Sequence, residues 1–236
     1  MIVTVEHKKE ILEQGFTVVE NVFSDEEIER ILKAIDRADT TRETFRKSKE
    51  LFAIRRFLIE VPEAVQLIFS AKLKNLITDF FGGGYFVVKA IYFDKPESSN
   101  WFVSWHQDLT ISVDRKTNLP GFGPWTVKQE QFAVQPPIEI LESIYTIRIH
   151  LDNTNEENGA LKVVPKSHLN GICRSGNWST NAEATCSVAK GGAMVMKPLL
   201  LHSSGRTTNG NRRRVVHLEF CNCELPEGIN WAERIN

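Results

Sequence analysis

Apolar side chains recur at helical spacing early in the chain and at alternating spacing later, so its two parts predict different structures. Ser24 followed three residues on by Glu27 is a capping box, and Ile28, Ile31, Leu32 and Ile35 fall on one face, which predicts an amphipathic helix over about 24–38. Ahead of it, the run Gly15–Glu20 predicts a short strand, and the residues before Gly15 read as a mobile N-terminal segment. Pro62–Phe69 and Lys72–Phe81 predict two further helices, the second stopped by Gly82, Gly83 and Gly84. That triple glycine follows a helix instead of joining a strand to one, so it reads as punctuation and not as a phosphate-binding loop.

From Tyr85 the period changes. β-Branched and aromatic runs at Tyr85–Phe93, Phe102–Asp108, Tyr145–Leu151, Leu161–Pro165, Ala193–Lys197, Leu199–Ser203 and Arg214–Cys223, separated by turn residues, predict strands. Many short strands in 236 residues suit a mainly β fold with flanking helices, an antiparallel double sheet of the jelly-roll, cupin-like kind. A long stretch rich in Pro, Gly, Gln and Trp interrupts them between Leu109 and Leu141. Its Phe122, Trp125 and Phe132 argue against disorder, and it reads as a lid. The expected organisation is one domain over 1–236: a mostly helical flank (1–84), a jelly-roll core (85–223) carrying the lid (about 109–141) and a C-terminal tail (224–236).

Composition narrows the partners. With 29 Lys and Arg against 30 Asp and Glu, the formal net charge is -1, which supplies no field to draw nucleic acid or an anionic membrane. No apolar run approaches the ~20 residues that cross a bilayer. A cytoplasmic protein with a small-molecule substrate, no nucleic acid and no membrane is therefore expected. Cys173, Cys186, Cys221 and Cys223 contain no Cys-x-x-Cys pair and read as reduced thiols, with Cys221 and Cys223 as small hydrophobes on one strand face.

The candidate chemistry lies in Trp105-His106-Gln107-Asp108. Strand alternation sends His106 and Asp108 the same way, with Cα atoms roughly 6.6 Å apart, and Gln107 the other way. Far downstream, His202 is followed by the small residues Ser203, Ser204 and Gly205, and Arg213 opens the next predicted strand. Two imidazoles and a carboxylate can cap one face of an octahedral ion, as in non-haem Fe(II) oxygenases. A guanidinium beside them can grip the far carboxylate of a keto acid with two hydrogen bonds. Arg212 and Arg214 fall on the opposite strand face and read as surface pairs, while His150, His168 and His217 read as structural. Arg148 and His150 share one strand face against Ile147, Ile149 and Leu151. If the apolar face packs the core, Arg148 is exposed; if Arg148 lines the barrel mouth, it meets an anionic substrate or the C1 carboxylate of the keto acid. Lys89, Trp125 and Gln135 are further candidates for lining residues.

The blocks Asn100–Asp108, His150–Leu161, Val164–His168 and His202–Gly205 with Arg213, taken in order, resemble the phytanoyl-CoA dioxygenase family of Fe(II)- and 2-oxoglutarate-dependent oxygenases over roughly Phe16–Phe220. The resemblance implies a double-stranded β-helix with His106, Asp108 and His202 as metal ligands, Arg213 on the C5 carboxylate of 2-oxoglutarate, and Ser204 hydrogen-bonded to the same co-substrate. It further implies consumption of O2 and hydroxylation of an unactivated C–H bond, with succinate and CO2 as co-products. Lys166 stands where that family usually has glycine in a Pro-Gly-Ser-His turn. Two rival readings are a non-catalytic jelly-roll binding protein and a cupin-like metalloenzyme that uses no keto acid.

Overall fold

A computed structural model describes residues 3–39, 41, 44–47, 52–97, 101–128, 131–174 and 182–236. Seven antiparallel strands form the major sheet, in the order Phe16–Val19, Ala193–Met196, Tyr145–His150, Arg213–Cys221, Phe86–Lys95, Phe52–Arg55 and Phe45–Lys47. A minor sheet of four runs Ala184–Cys186, Leu161–Val163, His202–Ser204, Val103–His106. The crossing of sequence-distant strands within each sheet is that of a jelly roll, as the alternating pattern predicts.

Helices cover one face of the major sheet. The predicted helix forms over Asp25–Asp36, capped by Ser24 and Glu27, and Ile28, Ile31, Leu32 and Ile35 are all buried. Leu73 and Leu76 of the helix Ala71–Phe81 join them, packed with Ile147, Ile149, Val216, Leu218 and Phe220 of the sheet. Gly82, at φ +84°, ends that helix in a conformation that a side chain resists.

Four expectations need correction. Val5–Glu13, expected within a mobile segment, form a helix: Thr4 and His7 cap it reciprocally, although only Ile11 is buried, so its pattern carried no stripe to read. The helical flank also contributes the hairpin Phe45–Lys47 and Phe52–Arg55, which extends the major sheet. The strand expected at Leu199–Ser203 forms only at His202–Ser204. Residues 224–236 are no tail. Ile229, Trp231 and Glu233 are buried, Trp231 and Ile235 bridge to Val113 and Val87, and the Ala90 amide donates to the Glu233 carboxylate at 2.9 Å.

The stretch 109–141 folds into a three-stranded sheet, Ile111–Val113, Gln131–Val134 and Trp125–Lys128, followed by the helix Ile138–Ser143. Phe122, Trp125 and Phe132 anchor it on an apolar cluster that contains Ile111, Val134 and Trp231. Lys166 takes the left-handed conformation (φ +66°) at the start of the turn, which explains why glycine is the usual residue there: the backbone shape is kept, at a cost glycine would avoid. His168 stabilises the same region, with its Nε2 3.2 Å from the Leu12 carbonyl.

Candidate metal centre

The register of the minor sheet sets His202 directly opposite His106, with ring centroids 4.2 Å apart. Asp108 lies just past the strand end, and its amide donates to the Pro198 carbonyl at 3.0 Å, which turns its side chain back toward the pair. Between them Gln107 faces away, as alternation predicts. Its amide nitrogen donates to the Leu199 and Gly171 carbonyls and its oxygen accepts from the Cys173 amide, so the loop carrying Asp108 is pinned from behind.

Both imidazoles are oriented from the backbone. His106 Nδ1 lies 2.8 Å from the Ser104 carbonyl and His202 Nδ1 lies 2.9 Å from the Leu200 carbonyl. A carbonyl only accepts, so each Nδ1 carries the hydrogen and each Nε2 presents a lone pair. Those two Nε2 atoms lie 3.9 and 3.8 Å from the two oxygens of Asp108, too far for hydrogen bonds. Burial holds His202 down to about 4 against the opposing pull of Asp108, so near neutrality it is uncharged. Burial works to raise Asp108, but the positive charge of Lys89 nearby opposes it, and the carboxyl stays well below the usual carboxylate range. Two imidazole lone pairs thus face a carboxylate, with the ligand atoms all within 4.8 Å of one another. Such an arrangement repels itself unless a cation sits in the middle, and the donor set fits a divalent transition metal.

Arg213 opens the strand Arg213–Cys221 and is buried. One guanidinium nitrogen reaches Ser204 Oγ at 3.4 Å, and Ser204 Oγ donates to the Gly159 carbonyl at 2.9 Å. The Arg213 Nε and Nη1 have no partner and are buried, orphaned donors that call for an anionic acceptor such as a carboxylate. Gly159 is required where it stands: at φ +81°, an added Cβ would come within 2.7 Å of the Gly205 carbonyl oxygen. Arg212 and Arg214 point the other way, each forked onto a carboxylate, Asp94 and Asp152 respectively.

These groups line a cavity of about 280 Å³, together with Lys89 and Arg148. The open question about the strand Tyr145–His150 is decided by the helices: Ile147 and Ile149 pack beneath them, which turns Arg148 into the cavity. Trp125 and Gln135 do not line it. Trp125 is an apolar anchor of the small sheet, and the Gln135 backbone pairs with Gly123 and Pro124. Thr110, Ser112, Gln131 and Ala133 of the same stretch face the cavity instead.

Sequence reading took His217 for a structural strand position and missed Glu219. Lys89 Nζ lies 2.9 Å from Glu219 Oε1, the same oxygen is 3.1 Å from His217 Nε2, and His217 Nδ1 is 2.9 Å from Arg148 Nη1. Arginine only donates, so His217 accepts at Nδ1 and donates at Nε2. The ligand atoms of Asp108, His217 and Glu219 also cluster, yet His217 has both nitrogens engaged and no lone pair left for a second ion. The signal was available: Arg213, His217 and Glu219 share one face of a strand by period two. Asn100 lies outside the described residues.

A relative from Stutzerimonas stutzeri, named as a probable alpha-ketoglutarate-dependent hypophosphite dioxygenase, is 27% identical over 177 residues, 69% of this chain and 53% of that protein. The chain thus matches about half the length of that relative. EvdO2 from Micromonospora carbonacea var. aurantiaca, solved with 2-oxoglutarate, shares the fold at a TM-score of 0.69 and 18% identity over 98% of this chain and 96% of its own. HygX from Streptomyces hygroscopicus, solved with nickel and 2-oxoglutarate, superposes at a TM-score of 0.66 and 16% identity, covering 93% and 87%. The phytanoyl-CoA dioxygenase family model matches residues 11–215, a span that takes in His106, Asp108, His202 and Arg213, and the chain belongs to that family.

Proposed function

We propose that the chain is an Fe(II)- and 2-oxoglutarate-dependent dioxygenase that hydroxylates a small molecule and releases succinate and CO2. The observation that carries the reading is the pairing of two orphan features in one cavity: lone pairs of His106 and His202 opposed to the Asp108 carboxylate, and unpartnered donors on Arg213. The first fits a cation and the second an organic carboxylate. A keto diacid bound to the metal at one end answers both. The name of the Stutzerimonas stutzeri relative and the 2-oxoglutarate in EvdO2 and HygX support the same reading.

In this assignment His106, Asp108 and His202 hold Fe(II), which when bound supplies the redox chemistry that couples 2-oxoglutarate decarboxylation to oxidation by O2. The protein's part is orientation and charge. Ser104 and Leu200 carbonyls fix the imidazole tautomers, and Gln107 holds the Asp108 loop. Arg213 and Ser204 hold the C5 carboxylate, and with Ser204 already committed to Gly159 its hydroxyl oxygen is left to accept from Arg213, which fixes the guanidinium in place. Ile91 and Phe93 supply apolar cavity wall, which keeps water away from the reacting groups. A binding protein without turnover has no use for an orphan guanidinium beside a metal triad, and an enzyme without a keto acid leaves Arg213 unexplained.

The test is 2-oxoglutarate-dependent succinate release with added Fe(II). Release should require both and should be lost in His106→Ala and Asp108→Ala. Turnover that persists in either variant, or without 2-oxoglutarate, overturns the assignment.

A further inference from the structure

Arg148 is 6% exposed, on the central strand Tyr145–His150, and faces the cavity. Its polar contact is Nη1 to His217 Nδ1, a neutral acceptor, and its Nε has no partner. Phe93 lies 5.9 Å from the guanidinium carbon, a weak cation–π contact. Among the described residues no carboxylate forms an ion pair with it. A cation that is buried and unpaired is unfavourable in the empty protein, which is why such groups in cavities mark the place of an opposite charge.

A charge count over the cavity indicates which anion is missing. Lys89 is paired with Glu219. On the proposed function, on which this inference rests, Fe(II) and Arg213 together bring three positive charges, and Asp108 with the 2-oxoglutarate dianion brings three negative ones. His217, between Arg148 and Glu219, is satisfied as a neutral ring. Among the buried guanidiniums that line the cavity Arg148 alone is left over; Arg55 is exposed and Arg56 half-buried, and Glu233 shares their part of the wall. It stands close enough to the triad for Asp108 and Arg148 to influence each other's charge.

We infer that the primary substrate is a small monoanion whose charged group is bound by Arg148, with His217 and Glu219 holding the guanidinium in position from behind. The size follows from the cavity: about 280 Å³ is at the low end for a ligand site, and a five-carbon keto diacid seated on Arg213 takes much of it. Arg148 is then a binding and specificity residue for the substrate and not a second clamp on the co-substrate.

The experiment is calorimetric titration of the anaerobic Fe(II) enzyme, first with 2-oxoglutarate and then with butanoate or methanesulfonate, with butanamide as the neutral match. Wild type should bind the anions and not the amide. Arg148→Gln, which keeps a donor for His217, should weaken anion binding at least tenfold and leave 2-oxoglutarate affinity within twofold. Arg148→Lys should weaken anion binding less. The inference is overturned if the amide binds as well as the anions, if wild type binds no anion, if Arg148→Gln leaves anion binding unchanged, or if that variant loses 2-oxoglutarate instead. A wild type that takes up neither Fe(II) nor 2-oxoglutarate sinks the functional reading and the charge count with it; a wild type that takes up both but shows no Arg148-dependent anion binding overturns the inference alone. A melting curve of each variant separates lost binding from lost folding, and the lysine variant carries the test if glutamine fails to fold.

Discussion

Along the strand Arg213–Cys221, Val216, Leu218 and Phe220 pack toward the helices, while Arg213, His217 and Glu219 project into the cavity. The neighbouring strands divide the same way: Ile147 and Ile149 against Arg148, Ala90 and Tyr92 against Lys89. One face follows the rule of apolar area, where each fully buried large side chain contributes about 1.5–3 kcal/mol. The other buries charges, which is favourable only where partners exist, and two of its guanidiniums retain unpartnered donors. The contrast teaches how a strained site is kept. Helix-side packing rigidly sets the sheet, and the sheet holds the other row of side chains in positions they would not adopt alone.

Breaking the packed face should cost stability and leave binding intact. Leu218→Ala should lower unfolding stability by about 3 kcal/mol in urea titration, with Fe(II) affinity of the folded fraction unchanged. If metal affinity falls in step, the two faces are not separable as described. The mirror experiment is Arg213→Ala: 2-oxoglutarate affinity should drop roughly a hundredfold with little loss of melting temperature, because the side chain has almost no internal partners to lose.

Glu233 sharpens the contrast through pH. Burial raises its carboxyl to about 7, against the opposing effect of the Ala90 amide. The folded protein therefore holds a proton that the unfolded chain releases, so this group's contribution falls as pH rises from about 4.5 to about 7. Glu233→Gln should flatten that slope and raise stability at pH 8 by up to about 3 kcal/mol, as read from denaturant midpoints. A steeper slope in the variant would mean that the carboxylate is paired. The smallest effect belongs to the exterior: Lys72→Ala breaks an exposed pair with Glu27 and should shift stability by less than about 0.5 kcal/mol.

Much of this was legible in the sequence where one pattern dominates. The Ser24–Glu27 capping box with its apolar stripe marked the helix Asp25–Asp36, and alternation marked the strands of the major sheet. His106, Asp108, His202 and Arg213 were legible because their chemistry is specific even when spread along the chain. What alternation cannot reveal is which face turns inward. It paired Arg148 with His150 and opposed both to Ile147 and Ile149, but only helices docked on the isoleucines decide the direction. The same gap hid His217 and Glu219, whose roles arise from Lys89 and Arg148 on neighbouring strands. The helix Val5–Glu13 escaped because it buries one residue, and the closing segment because Trp231 and Ile235 dock through isolated bridges and not a repeated pattern.

The account stands on one ion held by three side chains. Anomalous diffraction from crystals grown anaerobically with Fe(II) measures this directly. The prediction is a single strong peak bounded by His106 Nε2, His202 Nε2 and the Asp108 carboxylate. A peak elsewhere, or none with these three side chains ordered, would contradict it.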